Sequence, residues 1–158
     1  MMSPSTAGLA ATPFDADRQH WIRVRVYYED TDFTGLVYHA NYLRFFERGR
    51  SDFLRDAGVS HTTLLNRTDP AAFTIIRAEV DYRKGARVDD DLRIGTRYLG
   101  TAGAKVLFEQ TCWRGEEVIA DARIVAVTIH ADGRPRRPIP EITRDLAAYI
   151  WAGAAETT

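Results

Sequence analysis

The groups best able to do chemistry crowd into Tyr27 to Asn41, YYEDTDFTGLVYHAN. Asp30 and Asp32 flank a threonine, Glu29 adjoins them, and His39 follows Asp32 by seven positions. A carboxylate so placed can activate water as a general base or attack a carbonyl directly. Taken singly, a loop Asp commonly bonds nearby backbone and builds a turn, and a lone His has many structural uses. Tyr28, four residues before Asp32, can offer its phenol to the carboxylate or simply pack, and Tyr38 taken alone reads as a packing aromatic. Gly35 permits a positive φ or leaves room for a ligand. Asn41 suits either a helix-start hydrogen bond or a substrate contact.

These residues need elements to hold them. Trp21 to Tyr28 (WIRVRVYY) alternates apolar with basic or aromatic side chains, the period of a strand. The acidic stretch from Glu29 to Val37 breaks that pattern and reads as a loop. Tyr38, Tyr42, Phe45, Phe46, Gly49 and Phe53 then recur at helical spacing and share one face. Arg48 and Asp52 stand i, i+4 on the helix. The helix is expected to begin near His39, where unpaired backbone N–H groups can hold an anion or polarise a carbonyl. A glycine at position 49 costs about 1 kcal/mol relative to alanine, so close approach to a sheet is its expected compensation. Gly58 is the expected stop.

Four strands are expected next: Ala71 to Tyr82, Asp91 to Leu99, Ala104 to Trp113 and Val118 to His130. Turns are expected at Lys84 to Ala86, Gly100 to Gly103 and Gly115. Ile139 to Ala152 is expected as a closing helix, with Pro140 in its first turn. One strand, one long amphipathic helix and a run of strands indicate an α+β fold with a mostly antiparallel sheet.

The chain has 158 residues, the size of one domain. Its 21 basic and 22 acidic side chains give a net charge of −1, with no overall footprint for nucleic acid. Cys112 is the sole cysteine, so no internal disulfide forms, and no Cys/His cluster suggests a metal. No apolar run approaches the ~20 residues of a membrane span, and the N-terminus lacks the pattern of a signal peptide. A cytoplasmic protein is expected, with a poorly ordered tail over residues 1–20, one domain over 21–152 and a C-terminal tail over 153–158. Two basic groups, Arg83/Lys84/Arg87 and Arg134/Arg136/Arg137, read as solvated surface, or as phosphate contacts if a phosphorylated ligand is present.

Together these residues resemble a known family. VRVYYEDTDFTGLVYHANYLRFFERGR is similar to the opening of the hotdog-fold acyl-CoA thioesterases. It is closest to their YbgC-like, Tol–Pal-associated branch, related to the 4-hydroxybenzoyl-CoA thioesterases. The pattern D-x-D-x-x-G-x-V-Y-H-x-x-Y falls on Asp30, Asp32, Gly35, Val37, Tyr38, His39 and Tyr42, and DYRKGARVDDDL adds a second family-like segment.

The resemblance implies a hotdog: a curved antiparallel β-sheet wrapped around one long central α-helix. It implies hydrolysis of acyl-CoA thioesters, with Asp32 as the catalytic carboxylate, Tyr28 and His39 as site residues, and the helix start polarising the carbonyl near Tyr38 and His39. Gly35, Tyr38 and Tyr42 are expected beside the substrate, and Arg83, Lys84 or Arg87 near its phosphates. It further implies a homodimer or homotetramer with sites at the subunit interface, an acyl carrier protein as a candidate partner, and no metal or dissociable cofactor. A non-catalytic hotdog adaptor and a hotdog hydratase or dehydratase are the competing readings.

Overall fold

The computed structural model describes residues 13–154; residues 1–12 and 155–158, parts of the two expected tails, lie outside them. The sheet has five antiparallel strands: β1 (His20–Arg25), β2 (Ala71–Tyr82), β3 (Asp91–Ala102), β4 (Lys105–Arg114) and β5 (Glu117–His130). Their spatial order is β1-β3-β4-β5-β2, so β1 and β2 are the edges. Helix α1 (Asn41–Asp56) lies against β1 and β3. A short helix, α2 (His61–Leu65), and a closing helix, α3 (Pro140–Ala147), complete the chain. Among the described residues no helix is long and apolar enough to cross a membrane.

Helix α1 buries the stripe read from the sequence: Tyr42, Phe45, Phe46, Gly49 and Phe53 are all buried. Gly49 does permit close approach. A Cβ placed there would stand 2.8 Å from Thr96 Oγ1 and 2.9 Å from both Gln110 Nε2 and Ile94 Cγ2. Through that gap Gln110, fully buried on β4, donates to the Phe46 carbonyl at 2.8 Å and to Thr96 Oγ1 at 2.9 Å. Its own oxygen accepts from Arg50 Nη1 at 2.9 Å. A buried amide left unpaired is costly; here both ends of the side chain are satisfied, and they fasten helix to sheet.

Several boundaries differ from the sequence reading. Helix α1 begins at Asn41, because the backbone up to Ala40 is still closing the preceding loop. Strand β1 starts at His20 and stops at Arg25, and Tyr28–Asp30 forms a single 3-10 turn. Strand β3 runs through Gly100 to Ala102 by means of a bulge between Tyr98 and Gly100, so its hairpin turn falls at Gly103. Helix α2, capped by Ser60 through Thr63 N–H, had no apolar period long enough to read. Asp52 pairs with Arg55 (3.2 Å), and Arg48 lies over the Phe45 ring instead of meeting Asp52. Phe14, inside the stretch expected as tail, packs edge-on against His20 and Phe53.

Gly49→Ala should lower stability by roughly 1–3 kcal/mol, the usual cost of overpacking, although alanine is the better helix former by about 1 kcal/mol. Urea unfolding checks this; a more stable variant would mean the helix does not depend on that contact.

Candidate active site

The loop between β1 and α1 is built around Asp30, the buried member of the acidic pair. Its Oδ2 accepts from Tyr27 N–H at 2.8 Å and its Oδ1 from Asn41 Nδ2 at 2.7 Å. Its carbonyl accepts from Tyr38 N–H at 2.9 Å. One residue thus ties the loop entrance, the loop exit and the first helical residue together. Of the two roles open to Asn41, the structure assigns it the helix-start hydrogen bond.

Asp32 stands on the smaller turn inside that frame. Thr31 and Val37 form an isolated antiparallel bridge, Asp32 N–H donates to the Leu36 carbonyl (3.0 Å), and Gly35 N–H donates to the Asp32 carbonyl (3.0 Å). Gly35 has φ +82°, which glycine adopts without strain. The nearest atom to a Cβ there would be Arg87 Nη1, 3.7 Å away. The glycine therefore answers to backbone conformation rather than to crowding.

Both hydrogen bonds to the Asp32 carboxylate fall on one oxygen. Oδ1 accepts from the Thr34 hydroxyl and from Thr34 N–H, the latter at 2.8 Å. Oδ2 accepts none among the described residues. The Thr34 hydroxyl first, then its N–H, hold the carboxyl below the usual Asp range; burial opposes this weakly and the field of His39 assists. Asp32 is therefore a fixed carboxylate at neutral pH with one oxygen free.

The start of α1 is open as well. Ala40 is its N-cap and offers no side-chain cap. Tyr38 N–H is taken by Asp30, and Asn41 N–H by the Tyr38 carbonyl (2.8 Å). Among the described residues no hydrogen bond engages the N–H of His39, Ala40 or Tyr42. The unengaged N–H groups therefore sit slightly further along the chain than the Tyr38–His39 expectation. His39 itself is exposed; its ring packs on Tyr38 (centroids 4.7 Å apart) and stands edge-on to Tyr82 (6.1 Å). The Tyr82 hydroxyl donates to the His39 carbonyl at 2.9 Å, fixing the end of β2 against the helix start.

Residues 26–147 match the thioesterase-like superfamily. The chain belongs to that family. It is 43% identical over 101 residues to the acyl-CoA thioesterase YbgC of Haemophilus influenzae, covering 64% of this chain and 74% of that one. It is 35% identical over 119 residues to the acyl-CoA thioester hydrolase YbgC of Escherichia coli, covering 75% and 87%. The crystal structure of a probable thioesterase from Bartonella henselae superposes with a TM-score of 0.74 at 40% identity, covering 77% of this chain and 99% of that one. The fold is the α+β hotdog that the motif implied.

Within this thioesterase-like site the remaining expected residues fare differently. The Tyr28 side chain is 86% exposed and its hydroxyl makes no hydrogen bond among the described residues, so the phenol does not reach Asp32. The 3-10 turn directs it outward. Tyr42 is buried in the core, edge-on to Phe45 and Tyr82, and burial pushes its hydroxyl up to about 12; it does not face an open pocket. Arg83 is paired with Asp121 (2.5 Å) and Lys84 with Glu117 (2.5 Å). Arg87 is different: its guanidinium lies by Gly35 and has no ion pair among the described residues. It is a cation beside the Asp32 turn with no carboxylate partner among the described residues. Cys112 is buried, and burial pushes its thiol up to about 12, so it offers no nucleophile.

Thr34→Ala removes the largest cause of the lowered Asp32 pKa. That pKa should rise toward the ordinary Asp value near ~3.9, measured by NMR titration of the carboxyl carbon. An unchanged pKa would show that Thr34 does not set it.

Proposed function

We propose that the Asp32 turn and the start of α1 together hydrolyse acyl-CoA thioesters. The observation that carries this reading is the pairing of one free carboxylate oxygen, Asp32 Oδ2, with the unengaged N–H groups of His39, Ala40 and Tyr42. A thioester carbonyl bound at those donors gains stabilisation as its oxygen becomes negative, and the helix dipole adds to it. Asp32 Oδ2 then either takes a proton from water or attacks the carbonyl to give a mixed anhydride. In both routes the carbonyl carbon loses its bond to sulfur, the thiolate leaves as CoA, and water supplies the oxygen of the acid. His39 is assigned to orienting water or the leaving thiolate, and Tyr28 to a contact made only when a ligand or second copy is present.

Arg87 is assigned to the phosphates of the CoA moiety, because Arg83 and Lys84 already have carboxylate partners. An acyl carrier protein would present the same phosphopantetheine chemistry to it. A homodimer is part of the reading. Strand β2 is a free edge of the sheet, and Ile75 and Ile76 on it are exposed; an uncovered apolar edge strand is what a second copy covers. A cytoplasmic setting is supported by the free, buried Cys112 thiol.

Thiol release from a panel of acyl-CoA esters tests this reading: a hydrolase liberates CoA, whereas an adaptor or a hydratase liberates none. The pH profile adds a signed expectation. Because the active form is the ionised Asp32, its acid limb should lie below ~4, the ordinary Asp value, with kcat/KM lost as pH falls through the lowered pKa. An acid limb near neutrality would assign the base to another group.

A further inference from the structure

The run DYRKGARVDDDL ends β2 and leads into β3. Its middle, Gly85 to Asp90, lies alongside the Asp32 turn. The limb that leaves that turn, Leu36 and Val37, has the run of Thr31 and Asp32 on one side. On its other side Val37 N–H donates to the Ala86 carbonyl at 2.8 Å, and Leu36 forms an antiparallel bridge with Arg87. The Leu36 side chain rests on Gly85. A Cβ at position 85 would stand 2.9 Å from Leu36 Cδ2 and 3.2 Å from Cδ1. Gly85 is not one of the positive-φ glycines, so it answers to the crowding of Leu36 and not to backbone conformation.

One guanidinium nitrogen grips both ends of this segment. Arg114 Nη1, at the end of β4, donates to the Gly85 carbonyl and to Asp90 Oδ2, each at 3.0 Å. The same Asp90 oxygen accepts from Arg87 N–H at 2.9 Å, and Asp90 N–H donates to the Arg87 carbonyl at 3.1 Å. Within that closed turn Asp89 has φ +71°, a conformation side chains seldom adopt. The segment is also pinned to the end of β1. Val26 N–H donates to the Asp90 carbonyl and Asp89 N–H to the Val26 carbonyl, both at 2.9 Å. It therefore meets the active loop where the chain leaves β1 and again where it leaves the Asp32 turn.

We infer that Asp90 and Arg114 are positioning residues for Asp32, holding Gly85 to Asp90 as a shelf on which the Asp32 turn is seated. The inference rests on the hydrolase reading and adds to it residues that act through the backbone. Asp30 frames the loop from within; the shelf supports its outer limb. A part-exposed ion pair such as Arg114–Asp90 adds little stability by itself, so its use here is geometric. Misplacing a reacting group by about 1 Å costs about 10²-fold in rate.

The test pairs two variants. Arg114→Met keeps the aliphatic stem and removes both donors. Gly85→Ala, at an exposed position, leaves the ion pair in place and displaces Leu36. Thiol release is followed with an acyl-CoA that the wild type hydrolyses and with the matching S-acyl pantetheine, which lacks the nucleotide phosphates. Arg114→Met should lower kcat about 10- to 10²-fold on both esters, and Gly85→Ala should lower it about tenfold at an unfolding midpoint close to that of the wild type. Hydrogen exchange reads the shelf directly. In Arg114→Met the Val37 amide should exchange at least about tenfold faster relative to the β4 amides around Phe108.

Wild-type kcat in either folded variant, or unchanged Val37 exchange, would overturn the inference. So would a loss confined to KM for the CoA ester, which would place the effect on Arg87 alone. Release of no thiol from any ester by the wild type would overturn the hydrolase reading instead, and Val37 exchange would still decide whether Arg114 holds the turn.

Discussion

The geometry of the site depends on the carboxylate of Asp30. By accepting Tyr27 N–H and the Asn41 amide, and by offering its carbonyl to Tyr38 N–H, it fixes how the loop leaves β1 and how it enters α1. Hydrogen bonds to an ionised, buried acceptor are worth about 1.5–3 kcal/mol each, more than neutral ones. That rigidity holds Asp32, two residues on, in place although it is only partly buried. Thr34 completes the arrangement by occupying one oxygen and leaving the other. Of two acids one residue apart, one builds the frame and the other is held out on it.

The helix must be equally fixed for its start to serve as an electrophile. Gly49 lets α1 sink onto β3 and β4, and Gln110 fastens the Phe46 carbonyl to Thr96 across that contact. A helix anchored at its middle, with its first turn tied to Asp30 and its preceding carbonyl bonded to Tyr82, presents its free N–H groups at a defined place.

Much of this was legible in the sequence. The apolar stripe from Tyr42 to Phe53 and the alternation along the strands gave α+β, because burial periodicity is written directly into residue order. The D-x-D-x-x-G-x-V-Y-H-x-x-Y pattern gave the family. What was not legible lay in contacts between distant residues. Nothing local says that Asp30 rather than Asp32 is buried, since only the Asn41 amide, arriving from the helix, decides it. The basic run from Arg83 to Arg87 looks uniform until Asp121 and Glu117 on the neighbouring strand claim the first two cations. The contact that Ser51 makes with His61 depends on α2, a helix too short to show a period.

The division of labour between the two acids is the central claim, and turnover of Asp32→Asn relative to wild type, at matched unfolding midpoint, tests it most directly. The account predicts a loss of about 10²-fold or more, the scale of a positioned acid–base group, with stability changed by no more than about 0.5 kcal/mol, as for a substitution away from the core. A folded Asp32→Asn protein that releases thiol from acyl-CoA at the wild-type rate would contradict it.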